Sequence, residues 1–146
     1  MPKIATMEAR GWGDPGAPGT DAADAFRRKH IKTIRIRVKS GTVALPVNAD
    51  PNIQYLFTAL VRFLDRMGVD LGAMRDDWGW ANRDIRGMPG SKSMHAWGLA
   101  VDLDATENGM GSRRTTFPVA KTQRVSDALG LFWGRNFETR PDPRSE

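Results

Sequence analysis

The stretch DPNIQYLFTALVRFLDRMG, residues 50–68, restricts the fold more than any other. Ile53, Leu56, Phe57, Leu60, Val61, Leu64 and Met67 recur at helical spacing and make one apolar face. Asp50 suits the N-cap. Pro51 suits the first helical position, where the N–H it lacks has no partner anyway, and Gly68 suits the stop. A helix with one apolar face needs a cover. The preceding segment, TIRIRVKSGTVALPV, supplies it: Ile34, Ile36 and Val38 alternate with Arg35, Arg37 and Lys39, and Val43 and Leu45 continue the alternation past Ser40-Gly41. This predicts a hairpin with one buried face. These residues are core, and no chemistry is assigned to them.

The rest of the chain is read against that pair. Residues 1–20, with GWGDPGAPGTD, read as an irregular arm packed by Trp12. DAADAFRRKH, residues 21–30, predicts a short helix capped by Asp21, its basic end suited to the helix dipole. Strand character is expected from Trp78 to Ile85, a buried strand at GLAVDLD, a helix at PVAKTQRVSDALG and a short strand at LFWG. Mixed hairpins and helices without a repeating βαβ pattern argue for α+β. A length of 146 residues suggests one domain.

The chain has no cysteine, which excludes disulfides and thiolate metal sites. It has no apolar run long enough to span a membrane, so no membrane insertion is expected. The start, MPKIATMEARGWGD, lacks an apolar signal core, so no signal peptide is expected either. The net charge of +5 favours polyanions: nucleic acid, anionic lipid, or the teichoic acids and peptide carboxylates of a bacterial wall. The basic residues are scattered and recognised nucleic-acid motifs are absent, so no specific nucleic-acid partner is expected.

The chemistry concentrates in SMHAWGLAVDLD, residues 93–104, which holds one of the chain's 2 histidines. A bend between His95 and Asp102 can bring both side chains to one point, and Gly98 and Ala100 leave room for close backbone approach. An aspartate in an apolar stretch is costly unless hydrogen bonds or a cation satisfy it. On spacing alone, a histidine capping a loop and an aspartate ending a strand is the more ordinary description.

Ser93-x-His95-x-x-Gly98-x-Ala100-x-Asp102 resembles the signature of the zinc D,D-/L,D-peptidases of the M15 type. These include D-alanyl-D-alanine carboxypeptidases, D-Ala-D-Ala dipeptidases and phage endolysins that cut L-alanyl-D-glutamate. Upstream, WGWANRDIRG resembles the segment that carries the family's arginine, the match falling on Arg83 with Arg86 as the alternative. Downstream, Asn108 stands where the family often has an asparagine, and LGLFWGRNFETRPDP resembles the family's closing segment. The resemblance implies a hedgehog/D,D-peptidase-like α+β fold, a small antiparallel sheet with flanking helices. It divides the chain into an arm and short helix at 1–30 and a peptidase domain at 31–146, apparently incomplete at its C-terminus.

By that resemblance His95 and Asp102 are zinc ligands, and Arg83 is catalytic and substrate-binding. Ser93 lies by the substrate, its alternative being a turn hydrogen bond, and Asp142 is the general base. The substrate is a peptidoglycan peptide, met at the bacterial wall by a protein made in the host cytoplasm, as with a phage endolysin or a virion-borne hydrolase. The third ligand is expected at position 145, where this chain has Ser145. His30 is read as a surface residue, and Asp142 or Glu146 as makeshift ligands at best. Weak zinc binding and impaired activity follow, through an altered or truncated enzyme, a degenerate site, or a ligand from a neighbouring molecule. The alternative is a catalytically inactive peptidoglycan-binding module. Trp78, Trp80, Trp97 and Trp133 are either a cleft wall or core.

Overall fold

A computed structural model of the chain describes residues 4–73, 76–108 and 115–135. Helix α1 spans Ile4–Ala9 and α2 Asp21–His30; strands β1, Ile31–Val38, and β2, Gly41–Asn48, follow, then helix α3, Pro51–Arg66. Short strands β3, Asp84–Ile85, and β4, Met88–Lys92, precede helix α4, Val119–Ala128, and single 3-10 turns lie at Leu71–Ala73 and Met94–Trp97. The fold is α+β, with two small antiparallel sheets flanked by helices. Among the described residues, no helix is long and apolar enough to cross a membrane.

The β1–β2 hairpin is antiparallel, pairing Ile31 with Asn48 at one end and Val38 with Gly41 at the other. Its inner face presents Ile36, Val38, Val43, Leu45 and Val47, all buried, to Phe57, Leu60, Val61 and Leu64 of α3. An isolated two-stranded hairpin is marginal in water, so the cover of α3 is what makes this one stable. Asp50 caps α3 by accepting from the Asn52 N–H at 2.8 Å, and Pro51 begins the helix.

A second, smaller core lies apart from the first. Met7 of α1, Phe26 of α2, Ala96 and Trp97 are buried together, with Trp12 packed against them. The expected irregular arm therefore contains a helix, because Met7 has an apolar partner to bury against. Thr20, not Asp21, is the N-cap of α2, its hydroxyl accepting from the Ala23 N–H at 3.3 Å. Asp21 instead sits in the first turn, where its charge suits the helix dipole.

Three expected strands are corrected. GLAVDLD forms no strand; Asp102 makes a single antiparallel bridge to Trp78. Inside Trp78 to Ile85 only Asp84–Ile85 is a strand. LFWG is likewise not a strand; residues 131–133 are irregular. At GLAVDLD and LFWG the apolar residues pack onto the main core (Val101, Leu103, Leu131 and Trp133) without a neighbouring strand to pair with.

Candidate active site

Residues 78–83 form an irregular strap that holds the candidate site at each end. At one end, the Trp78 N–H donates to the Asp102 carbonyl and the Asp102 N–H to the Trp78 carbonyl, both at 2.8 Å. In the middle, the Gly79 carbonyl meets His95 Nδ1 at 2.6 Å, and the Ala81 N–H donates to the His95 carbonyl at 3.1 Å. At the other end, the Ser93 N–H donates to the Arg83 carbonyl at 3.1 Å. The strap is fixed to the hairpin by the Trp80 N–H, which donates to the Pro46 carbonyl at 2.6 Å. A Cβ at Gly79 would stand 2.0 Å from that same carbonyl oxygen, so only glycine lets the strap lie so close to β2.

The turn bearing His95 is fixed from the opposite side. Ser93 caps it, its Oγ accepting from the His95 N–H at 3.4 Å. Gly98 closes it with φ +67°, and a Cβ there would stand 2.5 Å from the Asn48 backbone nitrogen. Asn48 N–H donates to the Gly98 carbonyl and Asn48 Nδ2 to the Trp97 carbonyl, each at 2.9 Å. The Trp97 indole, fully buried, donates to the Gly13 carbonyl at 2.8 Å. His95 is therefore held by three parts of the chain: the strap, the end of β2, and the N-terminal segment.

This scaffold brings His95 and Asp102 together, with Nε2 3.4 Å from Oδ2. A carbonyl can only accept, so the Gly79 contact fixes the imidazole proton on Nδ1 and leaves the Nε2 lone pair facing a carboxylate. Two electron-rich atoms face each other stably only with a cation between them, a proton or a metal. Burial pushes the His95 pKa down, and is the largest single influence. The Asp102 hydrogen bond, the Gly79 carbonyl and the Asp102 charge together outweigh it, so the pKa is raised. For Asp102, the His95 hydrogen bond leads and burial opposes it; the charges of His95 and Arg83 add to the hydrogen bond, and the pKa is lowered.

The spacing also bears on a metal. Zinc ligands at about 2.0–2.2 Å, set at a tetrahedral angle, stand roughly 3.3–3.5 Å apart. A direct charge-assisted hydrogen bond is shorter, about 2.7–2.9 Å. The observed 3.4 Å accommodates two ligands of one metal ion as well as a long His–Asp ion pair. The Gly79 contact is the outer hydrogen bond that a metal-ligating histidine ordinarily makes. Among the described residues, no group of three or more histidine, cysteine or carboxylate side chains could hold a metal. His95 and Asp102 thus fit two ligand positions, and no third ligand stands with them there.

Residues 86–144 match a family model described as D-alanyl-D-alanine carboxypeptidase. The match supports a peptidase and includes Ser93, His95, Asp102, Asn108 and Asp142; it begins after the strap, so Arg83 lies outside it. No curated protein and no solved structure matches the chain.

The other residues singled out by sequence divide clearly. Arg83 is exposed, with its guanidinium 3.5 Å from the Asp84 carbonyl, and its charge is felt at both His95 and Asp102. Arg86 lies in the turn between β3 and β4. Asn108 is tied to Thr116: its Nδ2 donates to Thr116 Oγ1 at 2.8 Å and its Oδ1 accepts from the Thr116 N–H at 3.0 Å. His30 ends α2 with its ring 4.7 Å from that of Phe26, partly buried where a solvated surface residue was expected; burial, then the Lys29 charge, lowers its pKa. Asp142, Ser145 and Glu146 lie outside the described residues.

The four tryptophans do not act as one wall. Trp97 and Trp133 pack into the two cores, and Trp80 lies under Arg27, 5.3 Å from its guanidinium, donating to the Ala96 carbonyl at 3.1 Å. Trp78 alone of the four is exposed. Sequence reading missed Gly79 and Asn48. The Trp-Gly-Trp spacing was the available signal for Gly79, a small residue between two large ones; for Asn48 there was none.

Proposed function

We propose that this chain is a zinc-dependent peptidase domain directed at bacterial peptidoglycan stem peptides, with its hydrolytic capacity impaired by the residue at position 145. The observation that carries the reading is the His95–Asp102 pair, oriented by Gly79 and spaced as two metal ligands, inside a segment that matches a peptidase family. Residues 31–146 are assigned to the peptidase domain, with 1–30 as the arm that supports it. By analogy of fold and motif, a phage lysin or virion-borne hydrolase is the kind of protein proposed.

His95 Nε2 and Asp102 Oδ2 are the atoms that would hold zinc. When bound, zinc supplies acidification of water and polarisation of a carbonyl. The work of the chain's own residues follows from their chemistry. Gly79 keeps His95 in the tautomer that exposes Nε2. Arg83 places a permanent cation beside the pair, suited to a substrate carboxylate or to negative charge developing on the scissile carbonyl oxygen. Asp142 is assigned the base that takes a proton from water and hands it to the leaving amine. Ser93 is assigned to the substrate side, while its observed partner is the His95 N–H.

A hydroxyl at position 145 is a poor ligand while protonated, so His95 and Asp102 are the two strong ligands proposed to hold the metal. That favours a second reading, a peptidoglycan-binding module that retains Arg83 without turnover. Zinc affinity by chelator competition, and amine release from purified peptidoglycan, distinguish the two. Ser145→His is expected to raise both. If that variant gains neither zinc affinity nor amine release, the zinc-peptidase reading is wrong; peptidoglycan binding without release leaves the module.

A further inference from the structure

We infer that the indole of Trp78 is a substrate-binding surface for the residue next to the scissile amide; this rests on the peptidase reading above. Single exposed apolar residues are common and need no explanation. Trp78 differs in how it is held. It is 57% exposed, yet its backbone is locked opposite Asp102 by two hydrogen bonds of 2.8 Å. Residues that exchange both bonds across an antiparallel bridge have Cα atoms about 5.5 Å apart. Their side chains stand on one face of the ribbon, near enough to act on the same ligand. The indole therefore stands on the same face as the Asp102 carboxylate, which is itself about half exposed, at 49%.

The other end of the strap carries Arg83, whose charge reaches both His95 and Asp102. The strap thus brackets the histidine–aspartate pair with an apolar plate at one end and a cation at the other. A peptide laid across the pair meets both. The class of ligand follows from reach. A plate within one residue's length of Asp102 touches a side chain adjoining the cleaved bond, such as the methyl of an alanine. The sugar at the far end of a stem peptide lies several residues away. Trp78 precedes the family-matched segment, so the match does not account for it.

The test is calorimetric titration of the full chain, without metal, with a synthetic stem pentapeptide ending in D-Ala-D-Ala and with the same peptide carrying its disaccharide. Trp78→Ala is expected to weaken both ligands about ten-fold, while Trp78→Phe keeps most of the affinity. Equal binding by wild type and Trp78→Ala overturns the inference and leaves the peptidase reading standing. Failure of the wild type to bind either ligand overturns that reading and the inference with it. A loss confined to the disaccharide ligand overturns the assignment to peptide. Should Trp78→Ala lower the unfolding midpoint, Trp78→Leu, which keeps bulk without the aromatic plate, is compared instead; unchanged affinity there is equally fatal.

Discussion

Replacing Gly79 with alanine adds one methyl group, and the surroundings set its cost. The new Cβ would lie 2.0 Å from the Pro46 carbonyl oxygen and 2.9 Å from its carbon, both backbone atoms of a paired strand. Neither can rotate away as a flexible side chain would. The strap must lift off β2, stretching the bond from the Trp80 N–H to Pro46. Overpacking costs about 1–3 kcal/mol and a lost hydrogen bond about 0.5–1.5 kcal/mol. Gly79→Ala is therefore expected to destabilise the chain by about 2–4 kcal/mol in urea unfolding. The same movement withdraws the Gly79 carbonyl from His95 Nδ1, and that carbonyl helps raise the His95 pKa. The His95 pKa should fall. With only 2 histidines in the chain, proton NMR resolves this directly, His30 serving as the internal control. A variant within about 0.5 kcal/mol of wild type, with an unchanged His95 titration, would refute the claim that the strap is fixed by this contact.

Three further outcomes are expected. In the metal-free protein, His95 has a raised pKa, so its stabilising contribution is present below its ordinary value of 6.5 and is lost as pH rises through the raised value. Asp102 has a lowered pKa, so its contribution is present above 3.8 and is lost as pH falls through the lowered value. The pair should stabilise most between those limits, and thermal unfolding of Asp102→Asn across pH should lose that maximum; a wild-type-like profile would show that the pair is not coupled. Ser93→Ala should cost about 1 kcal/mol through the lost cap and also weaken stem-peptide binding; a stability loss at unchanged affinity would leave the hydroxyl as a cap alone. Gly98→Ala should destabilise by more than about 2 kcal/mol, since φ +67° and the close Asn48 nitrogen both oppose a side chain, and near-neutral behaviour in urea would contradict the observed turn.

What the sequence revealed followed from periodicity and local chemistry. The α3 face, its Asp50 cap and the hairpin's inner row all repeat at the spacing of their own elements, and all are present. At GLAVDLD the alternation is real: Val101 and Leu103 are partly buried against the core while Asp102 is exposed. The strand is absent because a ladder needs a partner, and the strap meets it at Trp78 alone. The histidine–aspartate pair was legible as a motif. Its orientation was not, because the atoms that fix it, the carbonyls of Gly79, Trp97 and Gly98, carry no side-chain identity to read. Gly79 owes its necessity to Pro46, distant in sequence, and such a contact leaves no local pattern.

The smaller core joins Trp97, which is fully buried, to Met7 and Phe26, and its indole to the Gly13 carbonyl. Homology and foldability therefore end at different places. A fragment cut at residue 86, where the family match begins, would keep both proposed ligands in its sequence while losing the strap, the end of β2 and the N-terminal segment that aim them. It would also leave a large indole without its cover, an aggregation hazard. Grafts and shuffled chimaeras of this segment need the N-terminal residues as surely as they need the histidine.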